Sequence, residues 1–182
     1  LGVHPHVPDR PVPASQWSLH AGIHLGGERF LEVIAPNPAY TGPPHPTATH
    51  LTTLSRPTVV FWFARVPDLA RAEFVPQAHG RPTTRISDVV RAEGPSYVNA
   101  CITAHIGDPS VPMLIQWTDR RNVDDNLPTG CTLDDVTVVS PEPGALTDLY
   151  RVLGVQVPVT HGHKPALAVR LATPRGAVEI TS

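Results

Sequence analysis

Thr132-Leu133-Asp134-Asp135-Val136-Thr137-Val138-Val139, the run from Ser140 to Gly154, Ala166-Leu167-Ala168-Val169-Arg170-Leu171-Ala172 and Ala177-Val178-Glu179-Ile180 spell strand, helix, strand, strand. The first piece is rich in β-branched residues, as a half-buried strand requires. Ser140-Pro141-Glu142-Pro143 then suits the start of a helix, because proline is tolerated in the first turn and a carboxylate faces the positive end of the helix dipole. Leu146, Leu149, Tyr150 and Leu153 follow at i, i+3, i+4 and i+7, which puts them on one face, and Gly154 closes the helix. Thr173-Pro174-Arg175-Gly176 turns the chain between the last two strands.

The same logic extends toward the N-terminus. His20 to Leu25 and Arg29 to Ala35 read as two strands, joined by Gly26-Gly27, a pair that supplies the positive φ of a tight hairpin. Pro36-Asn37-Pro38 ends the second strand, and 37–57 reads as a long loop. Thr58 to Val66 is almost wholly apolar, β-branched and aromatic, the pattern of a strand buried on both faces. Pro67-Asp68 starts a short helix that Pro76 ends. Tyr97 to His105 and Val111 to Trp117 alternate as strands, and 118–130 is a polar loop. Its acidic stretch, Asp119 to Asp125, lacks calcium-loop spacing and reads as solvated surface. The expected class is α+β, built from approximate repeats of a strand, a helix and further strands.

Composition narrows the function. The 182 residues suit one domain, and 41% hydrophobic with 16% charged residues describes a globular chain. A formal charge of −2 gives no basic field, so no nucleic-acid partner is expected. No run approaches the roughly 18 apolar residues of a membrane span, so no membrane partner is expected. The 22 prolines mark loops and element boundaries. Cys101 and Cys131 form no disulfide framework, which suits a reduced, cytoplasmic setting.

Two strands carry a lone carboxylate in an apolar pattern. Period-2 geometry puts Glu32 on one face with Phe30 and Ile34, and Glu179 with Ala177 and Thr181. Either both are strand glutamates facing water, or the two converge on one cavity that takes a metal, a proton or a polar ligand. His20 and His24 share a face of the strand adjoining Glu32, as a cross-strand polar pair or as ligands. His161-Gly162-His163 and His4-Pro5-His6 each offer two imidazoles but lie in turns. Trp117 is a cavity wall or a capping residue. Arg170, inside an apolar strand, pairs with a glutamate of the scaffold or binds an anion.

Four motifs then resemble those of glyoxalase-like domain proteins, in the vicinal oxygen chelate superfamily. They are Gly26 to Pro38, Met113 to Trp117, Asn126 to Cys131 and Leu171 to Ile180, in that order. The resemblance implies βαβββ-type modules forming a curved, mostly antiparallel sheet around a cavity. It divides the chain into an incomplete first module (1–57), a middle module (58–130) and a C-terminal βαββ module (131–182). It also places Glu32 and Glu179 at the family's metal centre, as catalytic and metal-ligating candidates. Two expected histidines are missing. The family's opening strand and helix would precede Leu1-Gly2-Val3, and the second histidine position falls near Phe61. The chain is therefore expected either to bind a small organic molecule without a catalytic metal, or to act as a divalent-metal-dependent lyase, isomerase or dioxygenase. His24, Phe61, Trp117 and Arg170 are the cavity-lining candidates. A hairpin lacking its neighbouring strand leaves an open edge, so a homodimer is a further expectation.

Overall fold

Gly26 and Gly27 turn the chain with φ of 86° and 60°, joining strand β1 (Ser18–His24) to strand β2 (Phe30–Pro36). The strands pair antiparallel, with Gly22 opposite Glu32 and His20 opposite Ile34. The computed structural model describes residues 1–7, 11–72, 74–78, 81, 83–89, 97–102, 108–117 and 127–182. By contact they form two units. Unit 1 takes residues 1–58, 123–134 and 170–179, and unit 2 takes 59–122, 135–169 and 180–182. The acidic stretch 119–125, His105 and the side chain of Cys101 lie outside the described residues.

Unit 1 departs from expectation between 37 and 57, where helix α1 (Pro46–Thr52) forms. Four threonines, Thr47, Thr49 and Thr52 within it and Thr53 just after, hide its propensity, since β-branched residues are weak helix formers. Proline occupies the first turn, and the hydroxyls of Thr49, Thr52 and Thr53 donate back to carbonyls three or four residues earlier. Strand β1 also lacks a fully open outer edge. Its Gly22 exchanges backbone bonds of 2.9 and 3.0 Å with His6, and the His24 N–H reaches the Pro128 carbonyl at 3.0 Å.

In unit 2, the run from Thr58 forms a much shorter strand than its composition suggests. Strand β3 covers only Phe63–Arg65, and Arg65 is exposed, so the strand is not buried on both faces. The upstream groups bond elsewhere: Val59 N–H to Thr181 O at 3.1 Å, and the Trp62 indole to Pro109 O at 3.0 Å. Helices α2 (Leu69–Ala72) and α3 (Phe74–Ala78) follow. Pro76 lies in the first turn of α3, where the N–H it lacks has no intrahelical acceptor, so it does not break that helix. Strands β4 (Thr83–Val89), β5 (Tyr97–Ile102) and β6 (Met113–Trp117) complete a sheet of order β3-β6-β5-β4. Within it β3 and β6 run parallel and the other neighbours antiparallel. Strand β4 carried no alternation that separated it from the helix expected before it.

The C-terminal pattern folds as read except for one strand: His161, expected in a turn, ends a short strand that pairs with the first strand of this segment. Strand β7 (Thr132–Ser140) leads into helix α4 (Pro143–Leu153), then β8 (Val159–His161), β9 (Ala166–Thr173) and β10 (Gly176–Thr181). The sheet order is β10-β9-β7-β8. Strands β7 and β8 run parallel, and α4 is the crossover that parallel neighbours need. Gly154 caps α4 with φ 75°. Leu146, Leu149, Tyr150 and Leu153 are buried with Ala64, Val66, Leu69, Val111, Leu114, Val138 and Leu167 in one apolar cluster. Burying each such leucine contributes about 1.5–3 kcal/mol. The fold is α+β.

Candidate functional site

Alternation along β1 and β2 puts Ser18, His20, Gly22 and His24 on one face with Phe30, Glu32 and Ile34. Gly22 spends its backbone N–H and C=O on His6, so its pairing with Glu32 is of the non-hydrogen-bonded kind, which brings side chains closest. One step along, His20 reaches diagonally to Glu32, with Nδ1 and Oε1 2.9 Å apart. Its other nitrogen, Nε2, lies 2.6 Å from Ser18 Oγ.

The donors follow from the groups themselves when Glu32 is ionised and His20 is neutral. An ionised carboxylate only accepts, so Nδ1 carries the hydrogen that Glu32 takes. With the ring neutral, Nε2 is then a lone pair and the Ser18 hydroxyl donates to it. The line runs from inside to outside: Ser18 is 2% exposed, whereas the side chains of His20 and Glu32 are 34% and 38% exposed. An inner hydroxyl thus holds an imidazole, and the imidazole holds one oxygen of a carboxylate at the surface.

The other expected residues play different parts. His24 is tied to its own turn, with Nε2 donating to Gly27 O at 3.0 Å and the Gly26 N–H pointing at Nδ1 at 3.4 Å. Glu179 and Arg170 are exposed on β10 and β9, with no hydrogen bond or ion pair among the described residues. Phe61 is half-buried and meets Phe63 edge-on, 5.8 Å between ring centroids. Trp117 is half-buried at the end of β6. Phe61 and Trp117 belong to unit 2, and Glu32, Glu179, His24 and Arg170 to unit 1. The His161 and His163 rings are exposed, 6.2 Å apart and edge-on. Among the described residues, no group of three or more His, Cys, Asp or Glu side chains is placed to hold a metal ion. The described side chains therefore do not assemble the donor set that the resemblance implies.

Ser18 and His20 extend what the sequence showed. His20 was recognisable as a neighbour of Glu32, but Ser18 lay before the expected strand start. Extending the i, i+2 alternation by one residue pair is the signal that finds it. Elsewhere in unit 1, His45 stacks on Trp17 at 4.1 Å with planes 4° apart. Its Nδ1 is buried with no hydrogen-bond partner among the described residues, and this burial lowers its pKa. In unit 2 an open groove of about 420 Å³ runs past the end of α4, lined by Thr147, Tyr150, Arg151, Val155 and Pro158 among others. Its polar groups do not converge. Arg151 is taken by Asp148 at 3.1 Å, and the Tyr150 hydroxyl donates to the Ser110 carbonyl instead.

A family model described as a glyoxalase-like domain matches residues 10–154. The matched stretch contains Glu32 and three of the four sequence motifs, while Glu179 lies beyond it. No curated protein matches the chain. Among solved structures, one described as a hypothetical protein from Staphylococcus aureus is similar at 9% identity, covering 91% of this chain and 71% of that one, with a TM-score of 0.47.

Proposed function

The chain belongs to the glyoxalase-like domain family, and from that premise we propose that it binds a small organic molecule, with Glu32 as the polar anchor. The observation that carries this reading is the Ser18–His20–Glu32 line. A carboxylate whose orientation is fixed by two successive hydrogen bonds meets a ligand with less ordering to lose, and preorganised polar groups of this kind favour binding. Glu32 Oε1 is committed to His20, and the Glu32 side chain is 38% exposed.

On this reading the anchor works without a resident metal. A divalent ion would need the lone pairs of Glu32 and at least one imidazole. Each imidazole already has a partner: His20 Nδ1 lies 2.9 Å from Glu32 Oε1, and His24 Nε2 lies 3.0 Å from Gly27 O.

A fragment library screened by protein-observed NMR tests this, on protein dialysed against a strong chelator. Ligands are expected to perturb the resonances of Ser18, His20 and Glu32 and to lose affinity at least tenfold in Glu32→Gln. Stoichiometric divalent metal found by elemental analysis, with binding abolished by the chelator, would replace this reading with the metal-dependent one. Fragments that bind only in unit 2 would remove Glu32 from the site.

A further inference from the structure

Glu32 pairs with Gly22 at a non-hydrogen-bonded position, so Leu31, Val33 and Ala35 make the ladder bonds to β1. The bonds just beyond both ends of β2 keep the same count, with Leu25 N–H reaching Arg29 O and Asn37 N–H reaching Trp17 O, each at 2.9 Å. Phe30, Glu32 and Ile34 therefore aim their N–H and C=O groups away from β1. Among the described residues no backbone hydrogen bond reaches these groups, and the sheet ends at β2. On the face opposite Glu32 the strand presents Leu31, Val33 and Ala35. Val33 is 46% exposed, and Ala35 is exposed beside it. The usual protections of a strand edge are thin here. No bulge interrupts the pairing with β1, β2 contains no lysine, and its proline is its last residue. Its one charge, Glu32, is turned to the other face and bonded to His20. Spare backbone donors beside an apolar row are what a further strand completes.

We propose that β2 pairs antiparallel with β2 of a second copy of this chain, about a twofold axis at Val33, so that two hairpins make one continuous sheet. The strand identifies its occupant by matching itself, and the side chains choose the register. Centring on Glu32 would set two carboxylates directly opposite each other, which is destabilising. Centring on Leu31 would set Val33 against Arg29. Centring on Val33 sets it against its own copy, at a non-hydrogen-bonded position where side chains approach most closely, and sets Leu31 against Ala35. Glu32 then faces Ile34 of the second copy, and the N–H of each bonds the carbonyl of the other. The Phe30 N–H meets the carbonyl of Pro36. Pro36 has no N–H, and it falls at the end of the ladder where it interrupts nothing. One patch meets itself, the closed contact that stops association at a dimer.

Sedimentation equilibrium of the whole chain is expected to show a monomer–dimer equilibrium. Val33→Lys, which sets a charge against its own copy, is expected to weaken the dimer at least tenfold while the amide spectrum stays folded. Oxidised Val33→Cys is expected to form a disulfide dimer through position 33, located by peptide mass spectrometry. Facing residues at such a position have Cα atoms about 4.5 Å apart, within the roughly 4.4–6.8 Å that a disulfide spans. Leu31→Cys is expected not to cross-link to its own copy, because the two lie four residues apart along the sheet, about 13 Å. Amide exchange at Phe30, Glu32 and Ile34 is expected to slow as protein concentration rises. A monomer at every concentration, or a dimer that Val33→Lys leaves unchanged, would overturn the proposal. Slow exchange of those amides in a monomer would mean that another segment of the chain lies on this edge, and would overturn it as well. Cross-linking through Leu31→Cys in place of Val33→Cys would overturn the register.

Discussion

Asn37 in unit 1 and Leu149 in unit 2 are both buried, at 7% and 1% exposed, and opposite forces hold them. Leu149 sits on the apolar face of α4 among aliphatic neighbours and contributes by leaving water. Asn37 donates its side-chain amide to the carbonyls of Pro13 at 3.2 Å and Gln16 at 2.8 Å, and accepts from the Ala39 N–H at 3.0 Å. It staples two loop segments together through their backbones. Among the described residues, unit 2 buries a large apolar cluster with only Ser110 and Ser140 as buried polar residues, whereas the smaller buried set of unit 1 mixes Ile23, Leu25, Cys131 and Leu171 with Ser18, Asn37 and Thr47. Apolar packing accepts any shape that fills the space. A polar interior demands particular partners, and the same demand that ties loops together in unit 1 orients His20 and Glu32.

Deleting one member of each set tests that contrast. Leu149→Ala should cost about 2–5 kcal/mol in chemical denaturation, the range for emptying a buried leucine site. A loss near zero would show that α4 does not rest on its apolar face. Asn37→Ala removes three hydrogen bonds worth roughly 0.5–1.5 kcal/mol each, and should approach the Leu149→Ala loss without opening an apolar cavity. Asn37→Leu, which restores volume but no partners, should be no better than the alanine. Rescue by leucine would mean that unit 1 is held by packing after all.

Smaller effects follow from two titrating groups. Burial, and then the negative charge of Asp108, raises the Tyr150 pKa above its ordinary 10.0, with Arg81 opposing. The native state then keeps a proton that the unfolded chain releases above about pH 10, so stability is full below that value and falls as pH rises beyond it. Tyr150→Phe should cost about 0.5–1.5 kcal/mol at neutral pH for the lost bond to Ser110, and should flatten the alkaline fall. An unchanged alkaline profile would place its cause elsewhere. For His45 the sign is reversed. Its pKa is lowered from 6.5 by burial, so the unfolded chain takes up the proton first and stability is lost as pH falls through and below that value. His45→Phe should keep the stack on Trp17 and lessen the difference in melting temperature between pH 7.5 and pH 5. A variant as acid-sensitive as the parent would show that this ring is not the sensor.

The local elements were legible in the sequence because one segment contains everything that defines them. The helix Pro143–Leu153 carries its own start, apolar face and glycine cap, and the hairpin is specified by two adjacent glycines. The extent of β3, the presence of β4 and the turn of α1 were not legible, because composition does not say which partner a backbone N–H will find. Strand length was set by where hydrogen bonds led, as Val59 bonding to Thr181 shows. The candidate site divides in the same way. The sequence showed Glu32 as a carboxylate out of place in an apolar strand, with two histidines nearby. Only the tertiary structure chose between those histidines, by a strand register that sends His20 toward Glu32 while His24 turns back onto its own loop. A one-residue slip in that pairing would send the two side chains to opposite faces, so the site exists by virtue of a contact twelve residues apart in the chain.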